Sequence, residues 1–377
     1  MADITLGQPQ ALTGFLGPRV YEGLYGEPFP IGVQTSEGLT NAGVIDAALP
    51  LEQVRNTVAS CLRIWQARPN PPVAQSGARL GRGASAAEPS VGNKFDAQQD
   101  LSSGQERGDE QGTRGGKGAS VSETSAWDAV LATRADRRPG VTDLLDRAQV
   151  SVTLSGTGAG EVAGATQLAL ALIGETGCVV VGQDGSAQRD GARIGPADLR
   201  VARRGMALAA KWRLPFVSII DTQGGELSAD AESGALAGEI ARCLADLSEL
   251  PVPTISVLLG GGAGGAALAL LPADRVIAAA DAWVTPLPPE GAALIRHRDV
   301  GMAAQMADEQ RITAQDLAAI GAVDVLLADP EGSAGVAAPY AALQAALANT
   351  TTPVAAADGT DAALLERRRQ RWRRLAP

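Results

Sequence analysis

The sequence has very little histidine and cysteine, which limits the chemistry available to its side chains. Its single histidine is His297, so we expect neither a histidine-based triad nor a metal site built from several histidines. Cys61, Cys178 and Cys243 lie far apart and include no Cys-x-x-Cys pair. They predict no disulfide framework and no zinc knuckle, and they favour a reducing cytoplasm. Backbone donors and carboxylates remain as candidate catalytic groups, with no metal.

Aromatic side chains, positive charge and long apolar runs are also scarce. Aromatics are 3% of the chain, and the net charge of -10 argues against a nucleic-acid partner. No signal peptide and no uninterrupted apolar run of spanning length is visible, so no membrane association is expected. The abundant residues are small and apolar. With 45 glycines and a hydrophobic fraction of 45%, the sequence indicates a closely packed core in one or two domains.

Composition divides the chain into four segments. Residues 1–65 have the pattern of folded structure, whereas residues 66–122 are rich in Gly, Ser, Ala, Gln and charge. Because residues 66–122 can bury too little apolar surface to offset their ordering entropy, we predict a disordered linker there. Residues 123–350 form the main domain. In the tail, residues 351–377, a cluster of arginines predicts a solvated basic helix, with an acidic partner or an anionic membrane as the alternative.

Apolar periodicity in the main domain alternates between strands and helices, which indicates a layered α/β fold. The predicted strands are Val150–Leu154, Gln167–Ile173, Cys178–Gly182, Pro215–Ile220, Thr254–Leu259, Arg275–Ala279 and Val323–Leu327. The predicted helices are Pro196–Trp212, Gly234–Ser248, Gly264–Leu271, Pro289–His297, Thr313–Ile320 and Ala334–Ala348.

The two ends of the chain share a pattern. Ala42–Leu49 (AGVIDAAL), where a strand is predicted, parallels Ile320–Leu327 (IGAVDVLL). The similarity predicts a duplicated domain. Too few residues precede Gly14 for a strand, a glycine turn and a helix. We therefore interpret residues 1–65 as the remnant of a first copy that has lost most of its body.

The glycine-rich run Gly260–Gly265 is the most informative motif. It follows a β-branched segment and precedes an alanine- and leucine-rich one, which predicts a strand, a tight turn and a buried helix. Such a turn lets the backbone approach a ligand, and N–H groups at a helix start stabilise negative oxygen. One interpretation is an oxyanion hole for acyl or enolate chemistry. The other is a turn needed only for close packing of helix and strand.

Several further stretches of the main domain are informative in combination with this run, through their order and spacing. They are Arg193–Pro196, Leu214–Thr222, Ser248–Pro253, Ala273–Val276, Pro289–Ala293 and Ile312–Leu317. Together they resemble the α-like half of the carboxyltransferase component of biotin-dependent acyl-CoA carboxylases, most nearly the acetyl-CoA carboxylase type. Residues 10–55 resemble the end of the β-like half. The resemblance implies a crotonase-like (ClpP/crotonase) α/β fold, a superhelix of ββα units, with an active site shared between the two kinds of half.

The resemblance also implies site residues. Gly264 and Gly265 match the paired glycines of the α-like oxyanion hole, with Ala266 beside them. The residues implied to bind substrate or carboxybiotin are Arg193, Ile194, Gly195, Asp221, Thr222, Gly224 and Gly225. Gln223 replaces the proline that is usual in this loop. Arg193 would meet a CoA phosphate, or it is an exposed arginine with no ligand.

The implied reaction moves a carboxyl group from carboxybiotin, held on a separate carrier protein, to an acyl-CoA substrate. Acetyl-CoA would give malonyl-CoA for fatty acid synthesis. The reaction needs two stabilised anions, the thioester enolate and the ureido oxyanion, and residues 1–65 lack the β-like hole. The expected partners are a biotin carboxyl carrier or biotin carboxylase subunit and a second carboxyltransferase chain. The alternatives are a truncated, non-catalytic assembly protein and another crotonase-type CoA enzyme.

Overall fold

A computed structural model describes most of the N-terminal segment, the main domain and the tail. The described residues are 3–13, 22, 26–28, 30–69, 125–136, 138–328, 335–350 and 360–375. The linker predicted over 66–122 thus lies almost entirely outside them. Folded structure continues past its predicted start, because Gln66 ends a helix and the Ala67 carbonyl accepts a hydrogen bond of 2.9 Å from the Gly177 N–H.

The N-terminal segment contains two short parallel strands and two helices. These are β1 (Leu6–Gly7), α1 (Ser36–Asn41), β2 (Ala47–Ala48) and α2 (Leu51–Gln66). The segment packs on the main domain through α2, whose Ile64 and Cys61 are buried in the core. It therefore belongs to the same compact unit as the main domain.

A mixed sheet forms the centre of the main domain. Its strands are β3 (Val150–Leu154), β4 (Thr166–Ile173), β5 (Thr176–Gln183), β6 (Phe216–Thr222), β7 (Thr254–Ala263), β8 (Arg275–Ala278), β9 (Trp283–Thr285) and β10 (Val325–Leu326). Their order is β10-β8-β7-β6-β5-β4-β3, and β9 pairs with the second half of β7. The β3–β4 and β4–β5 pairs are antiparallel, and the remaining pairs are parallel.

Helices cover both faces of this sheet. They are α3 (Ala126–Thr133), α4 (Val141–Leu145), α5 (Gly185–Arg189), α6 (Pro196–Trp212), α7 (Ala229–Ser233), α8 (Leu236–Ser248), α9 (Gly264–Leu268), α10 (Pro289–His297), α11 (Ala303–Gln310), α12 (Ala314–Ala319), α13 (Ala337–Ala348) and α14 (Thr360–Arg373). Val179 and Val181 of β5 face the core layer under α6 and α8, while Val180 faces the layer under α4 and α13. Burial on both faces explains the continuous apolar strands.

The two ends of the predicted repeat have the same local structure. Each starts with a threonine N-cap, Thr35 or Thr313, followed by a six-residue helix. Each helix is followed by a glycine with positive φ, Gly43 at 70° and Gly321 at 83°, and then by a short strand. Glycine is favoured at both because the left-handed conformation strains other residues.

The aspartates that directly precede these two strands, Asp46 and Asp324, occupy equivalent positions. Asp46 accepts a 2.9 Å hydrogen bond from the Thr5 N–H, and Asp324 accepts one of 2.7 Å from the Val276 N–H. In both cases the partner directly precedes the residues that pair with the second strand, so β1–β2 matches β8–β10. The similarity between 42–49 and 320–327 thus reflects a repeated structural unit.

The tail is helical, as predicted, and many of its side chains are exposed, but one side of the helix packs on the main domain instead of facing solvent. Arg368 of α14 is 2% exposed and donates to the Asp274 carboxylate at 2.7 and 2.8 Å. It also donates to the carbonyl oxygens of Leu247, Leu250 and Val252. Leu247 lies in the last turn of α8, where carbonyl groups lack a donor within the helix, and Leu250 and Val252 follow α8; the cation donates to all three. This long-range pairing has no signal in the local arginine pattern.

Candidate active site at the end of the central strands

Most of the glycine-rich run is strand, not turn. β7 continues to Ala263, and Gly260, Gly261 and Gly262 lie inside it. A Cβ at Gly260 would collide with the Asp221 carboxylate, and one at Gly262 would lie 2.6 Å from Val284 Cγ2. Close packing explains these glycines, but the neighbours belong to adjacent strands and not to a helix, and the predicted turn across all of 260–265 is wrong.

The turn itself is made by Gly264, the first residue of α9, which has a φ of 70°. A Cβ there would meet no heavy atom closer than the Pro286 carbonyl oxygen at 3.9 Å, so the space in front of it is open. The N–H groups of Gly264, Gly265 and Ala266 open a helix and have no partner within it. Gln183 fixes this turn by donating from Nε2 to the Ala266 carbonyl at 2.8 Å.

Gly265 is glycine for a different reason from its neighbour. A Cβ at this position would lie 2.9 Å from Cδ1 of Ile240, which belongs to α8. A larger side chain would therefore press α9 away from α8. We expect a larger residue at Gly265 to disturb the packing of α9 on α8. A larger residue at Gly264 should instead fill the open space in front of the turn.

The predicted loop 222–225 lies beside this turn. Gly224 has a φ of 121°, and a Cβ on it would lie 3.7 Å from the Ala263 carbonyl oxygen. Thr222 Oγ1 accepts from the Gly224 N–H at 3.0 Å and donates to Gln188 Oε1 at 2.7 Å. These bonds hold the loop at the carboxyl end of β6, next to the carboxyl end of β7. Ligands of parallel sheets bind at this edge.

The third predicted segment, 193–195, adjoins the same loop. Ile194 forms an isolated parallel bridge with Gly225, and its carbonyl accepts from the Glu226 N–H at 2.9 Å. Ile194 is fully buried, and the Gly195 N–H is bound by Asp198 at 2.9 Å. These two residues therefore support the loop through their backbone.

Arg193 is the exposed member of that segment. Its Nη1 donates to the carbonyl oxygens of Gln188 and Ala192 at 3.0 and 2.8 Å. The guanidinium group has further donors, so contact with a CoA phosphate stays a prediction.

Asp221 is buried behind the loop. Its side chain fills the space that Cβ atoms would occupy at Gly185 and Gly260, and its Oδ2 has no hydrogen-bond partner among the described atoms. Burial raises its pKa from 3.8 to about 6, although the charges of Arg138 and Arg189 and a bond from the Gly261 N–H oppose this. Asp221 thus touches the glycine strand rather than an open surface.

Arg138 is a supporting residue that the sequence did not single out. Its buried guanidinium forms a two-point salt bridge with Asp281 and donates from Nη2 to the Leu259 carbonyl at 2.7 Å. It therefore ties β7 to the segment before β9. The partners lie more than a hundred residues away in sequence, so no local motif could reveal them.

The described part of the chain holds no group of three or more His, Cys, Asp or Glu side chains placed to bind a metal ion. All three cysteines are buried and free, and burial raises the pKa of Cys178 to about 12. His297 lies exposed at the end of α10. Nor does this part of the chain contain a helix of the length and apolarity that crossing a bilayer requires.

The fold is that of the crotonase-like carboxyltransferases. A transcarboxylase 12S structure, solved with methylmalonyl-coenzyme A and methylmalonic acid bound, matches 95% of this chain and 64% of its own, with a TM-score of 0.61 at 20% identity. A single-chain, multi-domain long-chain acyl-CoA carboxylase matches 91% of this chain and 30% of its own, with a TM-score of 0.59 at 16% identity. At these identities the likeness shows the fold alone.

Sequence comparison shows the family. The model for acetyl co-enzyme A carboxylase carboxyltransferase-like proteins matches residues 94–376. A probable biotin-dependent acyl-coenzyme A carboxylase beta3 subunit of Mycobacterium tuberculosis is 44% identical, over 87% of this chain and 58% of its own length. The acetyl-coenzyme A carboxylase carboxyl transferase subunits beta/alpha of Salinispora tropica are 34% identical, over 99% and 62%. The chain belongs to the carboxyltransferase family of biotin-dependent acyl-CoA carboxylases, and it spans about three fifths of the length of these relatives.

Proposed function

We propose that this chain transfers the carboxyl group of carboxybiotin, delivered on a separate carrier protein, to acetyl-CoA or a related acyl-CoA. The product is malonyl-CoA or a malonyl-type thioester, used in fatty acid synthesis. The observation that carries this proposal is the start of α9. Three backbone N–H groups, Gly264 to Ala266, stand at the start of this helix, and the space in front of Gly264 is open. Such an arrangement stabilises an oxyanion without a metal or a side-chain nucleophile.

The residues at this turn fit a bound ureido group. Carboxybiotin supplies the carboxyl group and leaves negative charge on its ureido oxygen. The N–H groups of Gly264 and Gly265 would hold that oxygen, and the absence of a side chain at Gly264 leaves room for it. Loop 222–225 and Arg193 would line the route by which carboxybiotin reaches this turn. Asp221 and Thr222 support the loop from the protein interior.

The repeat supports a second hole for the thioester oxygen. In the main domain β8 lies between β10 and β7, the strand that leads to the glycine turn. The equivalent β1 pairs only with β2 among the described residues. By the same topology, its free edge would receive a strand equivalent to β7, with its own glycine turn. A β-like half, supplied by further sequence or by a second carboxyltransferase chain, would provide this strand.

Exposed apolar residues support assembly around the site. Leu227, directly after the loop, is 99% exposed, and Ile295 on α10 is 76% exposed. Contact with a second chain would remove these side chains from water, which favours association. We propose that a second carboxyltransferase chain covers them and that a biotin carboxyl carrier or biotin carboxylase subunit completes a cytoplasmic complex.

The test is malonyl-CoA decarboxylation in the presence of a biotin derivative, the reverse of the proposed reaction. The purified chain is assayed alone and with a separately expressed β-like subunit. We expect low turnover alone and a large gain with the subunit, because the second anion then has its hole. No turnover with any β-like subunit would leave the non-catalytic assembly protein as the better account.

A further inference from the structure

Three arginines in and directly after α14 have side chains with no partner among the described residues. Arg368 is bound to Asp274, Arg371 donates to Asp324 at 2.5 Å, and Arg369 lies 3.7 Å from Glu249. The remaining side chains are exposed and make no hydrogen bond or ion pair within the described part of the chain; they are Arg367, Arg373 and Arg374. Unpaired positive charge is thus concentrated on one helix of a chain whose net charge is -10.

Two of these free arginines line an open groove of about 610 Å³. Arg367 and Arg374 form its basic side together with Arg371, and its apolar walls include Leu364, Leu375 and Ile320. Ile320 is 55% exposed. The one acidic residue in the lining is Asp274, which is already paired with Arg368. The groove therefore combines free positive charge with an apolar wall.

The spacing of the arginines indicates the form of the ligand. Residues 367, 371 and 374 lie on one face of the helix, and a rise of about 1.5 Å per residue separates the first from the last by roughly 10 Å along the axis. A single phosphate fits one arginine fork. A peptide in the extended polyproline II conformation advances about 3.1 Å per residue with three residues per turn, so two carboxylates three residues apart lie on one face and match the spacing. A membrane would need an exposed apolar face, but Leu364 is buried and Trp372 donates from Nε1 to the Ala273 carbonyl at 3.0 Å.

We propose that this groove binds an extended acidic segment of a partner protein. One carboxylate engages Arg367, a second engages Arg374, and an apolar side chain between them contacts Ile320. Because exposed ion pairs are individually weak, the apolar contact and the matched spacing provide the selectivity. The proposal is independent of the carboxyltransferase activity.

Fluorescence anisotropy with the full chain tests this proposal. The probe is a labelled peptide in which two glutamates three positions apart flank a leucine, and the mismatched probe has lysines in place of the glutamates. We expect the acidic probe to bind more tightly and to weaken as salt is raised. The double change Arg367→Gln with Arg374→Gln should weaken binding by roughly fivefold to tenfold. Ile320→Ala should weaken it as well.

Arg373→Gln is the matched control, because Arg373 is an exposed, unpaired arginine of the same helix that does not line the groove. It should leave the affinity unchanged. Equal loss in the control and the double variant would reduce the effect to general charge attraction and overturn the proposal. Equal binding of both peptides would do the same. Tighter binding of pyrophosphate at the same arginines would replace the peptide with a phosphate ligand.

Discussion

At the scale of single residues, Asp221 shows how the site is supported from behind. Its carboxylate is confined by glycines on two neighbouring segments, and it bonds the backbone of the strand that leads to α9. Because burial disfavours the charged form, the native protein holds this proton at pH values where the unfolded chain has released it. Ionisation of Asp221 at neutral pH therefore costs stability, which the fold must offset elsewhere.

The Asp221→Asn variant should differ from wild type in its free energy of unfolding by an amount that depends on pH. The native pKa of about 6 lies above the unfolded value of 3.8, so the stability that the protonated group provides is complete below the lower value and is lost as pH rises through the upper one. Asparagine stays neutral throughout. The variant should thus gain up to roughly 3 kcal/mol relative to wild type between acidic and neutral pH.

Urea unfolding of both proteins across about pH 3 to 7.5 measures this difference. Comparing the two proteins at each pH cancels the titration of the other carboxyl groups. A difference that stays constant with pH would contradict the buried, proton-binding state of Asp221.

The residues of the candidate site differ in how far the sequence could reveal them. Gly264 was predictable, because a glycine at a strand-to-helix turn has a local cause in its positive φ. Gly260 and Gly262 were ambiguous, since their neighbours, Asp221 and Val284, come from other strands. Arg138 was not predictable, because only the fold brings Asp281 and the Leu259 carbonyl to it.

At the scale of secondary structure, most strands of the central sheet were predicted, and several helices were not. The helices Pro196–Trp212 and Pro289–His297 and the strand Val150–Leu154 have the predicted bounds. The short helices α4, α5 and α7 and the strand β9 were missed, and so were the longer helices α2, α3 and α11. The missed short elements have three to five residues and too little sequence for a period to show, so tertiary contacts determine them.

The docking of α14 gives a prediction at this scale. Arg368→Ala would remove the guanidinium donor from the Asp274 carboxylate and from three carbonyl oxygens. Loss of one partner from a buried charged network should lower the free energy of unfolding by roughly 3 kcal/mol. Thermal and urea unfolding measure the loss.

Arg373→Ala is the control for this change, since Arg373 is exposed and unpaired on the same helix. It should alter stability by no more than about 0.5 kcal/mol. Equal stability of the two variants would mean that α14 does not depend on the Arg368 network for its docking.

At the scale of the whole molecule, the chain repeats one short structural unit near its two ends. The β1–β2 pair repeats the β8–β10 pair, including the aspartate that directly precedes the second strand. The sequence predicted this duplication from eight residues at each end. It could not show that the N-terminal part packs onto the main domain, because that depends on pairs such as Arg204 with Asp46, which are distant in the chain. The proposed two-anion site then needs a β-like partner.

The most direct test of the backbone oxyanion hole is Gly264→Ala in the decarboxylation assay with the β-like subunit. The methyl group would enter the open space at this turn, so kcat should fall by about a hundredfold or more. Gly321→Ala is the matched control: its φ of 83° imposes similar strain, of about 1 kcal/mol, and a Cβ there meets no heavy atom within 4 Å. We expect loss of turnover in the Gly264→Ala variant and normal turnover in the Gly321→Ala variant. Normal turnover with Gly264→Ala would show that this turn is not the oxyanion hole.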